Sequence, residues 1–465
     1  MKKTLETLTQ CFGPSGAENR VRETIREMIA PFVDELKTDV MGNLITRVGT
    51  KKEGGKRVMV SAHMDEIGVM VSHVNDQGFA YVAMVGGVNP LTCFGSRVQF
   101  ANGARGVLYA ETEKMSGAPK TNELFIDFGV SSKADCPVGI GDVANFERPF
   151  IDLGGRVVSK ALDDRSGCAL AVETIRALKE KKIDGPNEIY FVFSTQEEVG
   201  LRGAKTSAYT VDPDVGVAID VTLAADQPNG PQGNMVLGGG PCIKVRDGSL
   251  IAHPAVNAAF RDAAKRVDIP IQMEVLRFAG TDAGAIAGTR SGVPSTCLSL
   301  ACRYVHSPSE MIDMTDFAQG VQLLDEGPSE ALVGRQVAED SLVGDEGGLV
   351  AGPLRGRQGQ QLIGHWVVDD DLVAVLIDPL IAQRPCGHHR RPQADRPPGG
   401  QVVAHRAQNE LRHPAGGSLC QAEERVRDRL VGEALEERVH VVVQVDPRHR
   451  AQGGACLPLE VGPHP

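Results

Sequence analysis

From Ala318 to Pro465 the chain contains no Lys, Thr, Met, Phe or Tyr, although each recurs before that point. Eight of the 12 His lie in the same stretch, and Arg, Gly, Pro, Gln and Val dominate it. The missing types are mostly those with AT-rich codons. The segment therefore reads as out-of-frame translation of GC-rich DNA or as a fused, unrelated piece. With Trp366 as its one large aromatic residue, it has few groups around which a core could pack. Its Pro and Gly clusters, such as Arg396-Pro397-Pro398-Gly399-Gly400, interrupt regular elements. Residues 325–465 are expected to be a low-order, non-homologous tail, with no role for His388-His389 beyond solvated surface. The folding problem contracts to residues 1–324.

Within those residues two patterns alternate. Lys3 to Phe12 reads as a helix, broken by Gly13-Pro14-Ser15-Gly16. Ser15 and Glu18 have the spacing of a capping box, which predicts a second helix from there to about Ala30. Leu36 to Val48 reads as a hairpin turning at Met41-Gly42-Asn43. Arg57 to Ala62 is a short apolar run of the kind buried in a mixed or parallel sheet. From about Gly68 to Val158 only short β-like runs occur: Val69–Val74, Phe79–Val85, Ser96–Phe100, Gly106–Tyr109 and Leu124–Phe128. Helix and strand then alternate again, with a helix over Ser166–Lys181, strands over Glu188–Ser194 and Val215–Ile219, a helix over Ala255–Arg266 and a strand over Ser295–Ala301. This predicts a doubly wound mixed α/β sheet with helices on both faces, formed by 1–69 and 159–324, and a small all-β domain inserted over 70–158.

Composition narrows the function classes. Hydrophobic residues make up 42% and charged residues 23%, a globular balance. The net charge of −11 offers no basic footprint for nucleic acid. No run of about 18 apolar residues could span a membrane. No apolar stretch follows Lys2-Lys3, because Glu6, Thr7, Thr9 and Gln10 interrupt it, so a cytoplasmic location is expected. The 10 Cys form no C-x-x-C pair and read as reduced, buried thiols.

The chemistry gathers at strand ends. His63-Met64-Asp65-Glu66 follows the run ending at Ala62. Gln196-Glu197-Glu198 follows Ser194, Asp220 follows Ile219, and His306 comes soon after Ala301. Ligands of open α/β sheets bind outside the carboxyl ends of the strands. Asp163-Asp164-Arg165, just before a helix, adds a fifth group. Each signal has a plain structural reading: Glu-Glu as solvated surface, Asp-Asp-Arg as a helix cap. Together, two His and several carboxylates without a thiolate describe an N/O site for Zn, Co or Mn. In paired sites with metals about 3.5–4 Å apart, one carboxylate bridges and a shared water becomes the nucleophile. Glu197-Glu198 supplies two adjacent carboxylates, one able to bind metal and the other to move a proton.

These stretches, with Cys11-Phe12-Gly13-Pro14-Ser15-Gly16, Lys160-Ala161-Leu162, Gly280-Thr281-Asp282-Ala283 and Arg303-Tyr304-Val305-His306-Ser307, resemble metallopeptidase family 42. That family contains the glutamyl and deblocking aminopeptidases and the tetrahedral TET aminopeptidases. The resemblance covers residues 4–324. It implies a zinc-peptidase-like fold and hydrolysis of N-terminal residues from peptides through a metal-bridged water. His63, Asp163 and Asp220 would hold one divalent ion, and Asp163, Glu198 and His306 the other. Glu197 would be the general base and Asp65 would orient His63. Asp220-Val221-Thr222 departs slightly from the family pattern after the ligand. The inserted β-domain corresponds to the family's dimerisation domain, and the family's dimers build a hollow dodecamer.

Two alternatives stand beside this reading. Some members of the family carry an endoglucanase label, which would need two carboxyls flanking a sugar bond. Aromatic platforms are usual at sugar sites, and aromatic residues are only 4% here. An inactive fusion product is the other alternative.

Overall fold

The computed structural model describes residues 1–326 apart from 112–118, 182–184 and 232, and farther on the strands 361–368, 371–377 and 441–445. Helices α1 (Lys2–Gln10) and α2 (Asn19–Ile29) open the chain. The expected capping box is not formed, because buried partners outcompete the local cap. Ser15 donates to the Asp65 carboxylate at 2.5 Å, and Glu18 accepts the N–H groups of Gly16 and Gln196 at 2.8 and 3.2 Å. The helix therefore starts at Asn19. The hairpin of β1 (Glu35–Thr38) and β2 (Leu44–Val48) forms as expected, with Asp39 accepting from the backbone and side chain of Asn43 at its turn.

Strand β3 (Arg57–His63) leads directly into the β-rich stretch. Its strands are β4 (Gly68–Val74), β5 (Ala80–Val85), β6 (Arg97–Phe100), β7 (Arg105–Ala110), β8 (Leu124–Asp127) and β9 (Val143–Phe146), with a short helix α3 (Pro90–Cys93) between β5 and β6. They close as a barrel in the order β4-β5-β8-β7-β6-β9. Closure depends on β9, which the sequence reading did not single out and which pairs with both β4 and β6. Inward residues such as Val69, Leu108, Ile126 and Phe146 fill a core of its own, while β7 alternates exposed and buried along its length. That period of two is the signature of a sheet with one wet face.

The strands β10 (Ile151–Asp152) and β11 (Arg156–Ser159) leave the barrel for the large sheet. Then come α4 (Leu162–Glu180), β12 (Glu188–Ser194), α5 (Arg202–Val211), β13 (Val215–Leu223), β14 (Cys242–Arg246) and α6 (Pro254–Arg266). They are followed by β15 (Gln272–Val275), α7 (Asp282–Ala287), β16 (Ser295–Arg303), β17 (Glu310–Asp313) and α8 (Met314–Glu326). The main path of the sheet is β1-β2-β12-β3-β13-β16-β17-β11-β10, with β14 and β15 beside β16. Its centre, β12-β3-β13-β16, is parallel, and its margins are antiparallel.

Alternation along the central strands explains the helices on both faces. Val58, Val60 and Ala62 of β3 join α1, α2, α4, α6 and α8 in one core, while Met59 joins α5 and α7 in another. The helix α4 is buried along its first half, and only a narrow stripe of Glu173, Arg176, Lys179 and Glu180 reaches outward in its second. Leu170 on α4 sits so close to α8 that a Cβ at Gly320 would meet its Cδ1 at 2.7 Å. Leu170→Ala is expected to cost about 2–5 kcal/mol of stability, measurable by denaturant unfolding of the full chain.

Among the described residues no helix is long and apolar enough to cross a membrane. The seven described cysteines are free thiols. The last helix continues past the expected boundary at 324, with Asp325 paired to Lys181. The chain divides into units 1–339 and 340–465. Within the second, β18 (Gln361–Val368), β19 (Asp371–Ile377) and β20 (Val441–Val445) form an antiparallel sheet. The expectations about the order of the tail, and about His388-His389, otherwise lie outside the described residues.

Candidate metal centre

Parallel register brings the first ligands together. Ser61 on β3 lies opposite Ala218 on β13, so His63 and Asp220, two residues further on in each strand, stand level. On the other side of β3, His63 pairs with Ser194 at the end of β12, which delivers Glu197 and Glu198 just beyond. Asp220 lies inside β13 rather than after it, because the strand runs on to Leu223. Asp163 stands at the irregular start of α4, where it and Asp164 have non-helical backbone angles. His306 follows β16 in a turn where Tyr304 and His306 both adopt left-handed conformations. Such conformations are strained for residues other than glycine and cluster at functional sites. Gln196 and Ala161, beside two other parts of the site, share the feature.

The side chains converge on Asp163. Its Oδ1 lies 3.0 Å from His63 Nε2, and its Oδ2 lies 3.3 Å from His306 Nε2. Glu198 Oε2 is 3.2 Å from His306 Nε2, and Glu197 Oε2 is 3.9 Å from His63 Nε2. Two groups of three have donor atoms mutually within 4.8 Å: His63, Glu197 and Asp220, and Asp163, Glu198 and His306. The sequence reading put Asp163 rather than Glu197 in the first group. Asp163 is the nearer of the two to His63.

A fit to cations follows from the charges. Four carboxylates and two imidazoles share a pocket in which His63, Asp163 and Asp220 are buried and Glu197, Glu198 and His306 are half-buried, and Glu198 Oε1 has no hydrogen-bond partner. Burial, with the charge of Asp163, pushes the Asp220 carboxyl up to about 8. Burial also raises Glu197 well above the ordinary carboxylate range, against the pull of His63 and with the push of Asp220 and Asp282. Burial works against the charge on His306, but hydrogen bonds to Asp163 and Glu198 prevail and raise it to about 12. The pocket binds protons where it lacks positive charge, and oxygen and imidazole donors without thiolate suit Zn, Co or Mn.

The supporting groups are equally defined. Asp65 is fully buried, with its backbone carbonyl 3.1 Å from His63 Nδ1 and its carboxylate 3.5 Å away. That carboxylate also accepts the N–H groups of Glu197 and Glu198 at 3.0 and 3.2 Å, fixing the turn that presents both. Arg165 is wholly buried and donates to the carbonyls of Met64, Leu8, Cys11 and Gly13, tying the N-terminal segment to the site. Glu66 takes Lys160 at 2.7 Å and the barrel's Asn145 at 3.0 Å. The barrel also reaches the centre at Gly87, where a Cβ would meet His306 Nδ1 at 2.4 Å.

Three contributors escaped the sequence reading in these roles. Glu310 accepts backbone N–H groups, Asp282 accepts the hydroxyls of Ser61 and Ser194, and Gly87 offers room. Only Asp282 carried a signal, in the stretch Gly280-Thr281-Asp282-Ala283.

The sequence profile of the M42 glutamyl aminopeptidases matches residues 42–323. The chain belongs to that family. A relative in Acetivibrio thermocellus is 47% identical over 324 residues, covering 69% of this chain and 96% of its own. The lysyl aminopeptidase of Pyrococcus furiosus is 35% identical over 70% of this chain and 94% of its own. Among solved structures, the TET1 peptidase of Pyrococcus horikoshii superposes with a TM-score of 0.63 at 31% identity, covering 71% of this chain and 98% of its own. The M42 chain is thus an aminopeptidase by class, a hydrolase of peptide bonds, built on the zinc-peptidase-like fold. The glycosidase alternative falls. A Thermotoga maritima structure described as an endoglucanase is also similar, at 32% identity and a TM-score of 0.60, but the M42 profile and the curated relatives are aminopeptidases.

Proposed function

We propose that this M42 enzyme removes N-terminal residues from peptides with the help of two divalent cations. The observation that carries the reading is the Asp163 carboxylate, which turns one oxygen to each of two imidazoles. His63, Asp163 and Asp220 would hold one ion, and Asp163, Glu198 and His306 the other. Zn and Co suit the donors best, then Mn. Bound there, the cations would lower the pKa of water and polarise the scissile carbonyl. Glu197, farther from His63 than Asp163 is, stays free to take the proton of the attacking water and return it to the departing amine. Its raised proton affinity suits a group that must both accept and give. Asp65 holds Glu197 and Glu198 by their backbone, so the proton carrier and the ligand keep distinct places.

The substrate is a peptide with a free N-terminus, and the enzyme works in the cytoplasm. The barrel is the self-association module. TET1 of Pyrococcus horikoshii can assemble into a tetrahedron or a large octahedral shell. Dimers joined through the barrel, and a dodecamer built from them, are the matching arrangement here. No ligand or base is needed from beyond His306.

Dialysis of the full chain against a strong chelator is expected to abolish release of N-terminal residues from a panel of aminoacyl substrates. Added Zn²⁺, Co²⁺ or Mn²⁺ is expected to restore it. Undiminished hydrolysis by the metal-free protein would sink the reading.

A further inference from the structure

Glu310 opens β17 and is 1% exposed. Its Oε2 accepts the backbone N–H of Asp163 at 2.9 Å, and its Oε1 accepts the backbone N–H of His306 at 2.9 Å. These two residues reach the site from separate directions. Asp163 comes from β11 and the start of α4, and His306 from the turn after β16. Strand β17 lies between them, pairing Ser159 of β11 with Glu310 and Arg303 of β16 with Met311. One side chain thus spans the two routes by which the ligands arrive.

We propose that Glu310 is the positioning residue that sets Asp163 and His306 in register for the second ion. This rests on the two-ion reading above. The left-handed turn at His306 is closed by the Ser307 N–H on the Tyr304 carbonyl at 3.1 Å, and Glu310 adds an outside acceptor on the His306 N–H. On its far side the imidazole occupies space that a Cβ at Gly87 would fill, its Nδ1 only 2.4 Å from that position. The backbone of His306 is therefore held by β17, while its ring lies in the space Gly87 leaves after β5.

The chemistry makes the role specific to a carboxylate. Both oxygens of Glu310 accept. An amide of the same shape offers one acceptor and one donor, so E310Q must turn an NH₂ toward one of the two N–H groups. Its effect should fall chiefly on the ion that needs both Asp163 and His306, and less on the ion held by His63, Asp163 and Asp220, which shares only one of the two.

The test is calorimetric titration of the metal-free full chain and of E310Q with Co²⁺ alone. The parent is expected to take two ions per subunit. E310Q is expected to take the first with the smaller loss and the second about 10–100-fold more weakly, the range seen when a partner of a metal ligand is lost. A merely structural role would lower the unfolding temperature and leave both affinities unchanged, which overturns the proposal. A parent that takes fewer than two ions sinks the two-ion reading and the proposal with it. A variant that takes two as the parent does sinks the proposal alone. Should E310Q not fold, E310D carries the test, since it keeps two accepting oxygens on a shorter arm. Weakening of the second ion by about tenfold or more supports the proposal, and parental affinity at both sites overturns it.

Discussion

Glu197→Gln is expected to lower kcat roughly 10²–10⁴-fold while both ions remain bound. The amide keeps the shape and most of the packing of the side chain but can no longer take a proton. Its backbone N–H stays on Asp65, so the turn that carries Glu198 is preserved. KM should change little, because the lost interaction belongs to the transition state. Metal content by elemental analysis and steady-state kinetics together check the prediction. If the variant lost an ion, Glu197 would be a ligand beside His63 and Asp220, the other group their geometry permits.

Asp163→Ala is expected to have the larger effect. Asp163 is the one carboxylate in contact with both imidazoles. On the proposed two-ion reading, its removal would take a donor from each ion and the negative charge that would offset their mutual repulsion. The loss of metal affinity should exceed the 10–100-fold that follows loss of a supporting partner, and hydrolysis should disappear at ordinary metal concentrations. A variant that still held two ions at parental affinity would remove Asp163 from the bridge. The two substitutions are therefore distinguishable: the first leaves the ions and stops proton transfer, and the second releases the ions.

Much of this centre was legible in the chain because parallel sheets align their strand ends. Once Arg57–Ala62, Glu188–Ser194, Val215–Ile219 and Ser295–Ala301 read as strands, their following residues had to meet at one edge. What escaped acts through backbone. Glu310 sits after Ser307-Pro308-Ser309 and looks like loop polarity, since nothing in a residue type says that it will accept two distant N–H groups. Ser15 had the right spacing to cap a helix, yet Asp65, 50 residues away, captures its hydroxyl. Local pattern cannot register a competitor that tertiary structure supplies. The strands β9, β11 and β17, four residues each, were also missed.

The barrel lies between two residues that must touch. His63 and Asp163 are 100 positions apart in the chain, and loop-closure entropy opposes their encounter. Strands β4 and β9 zip together at Val69 and Ala144. A chain that has already formed that pairing faces a gap about a quarter as long. Two halvings of loop length lower the entropic cost by about 1.2 kcal/mol. If that pairing forms first, the insertion recovers most of the loop-closure cost that its own length imposes on the peptidase sheet.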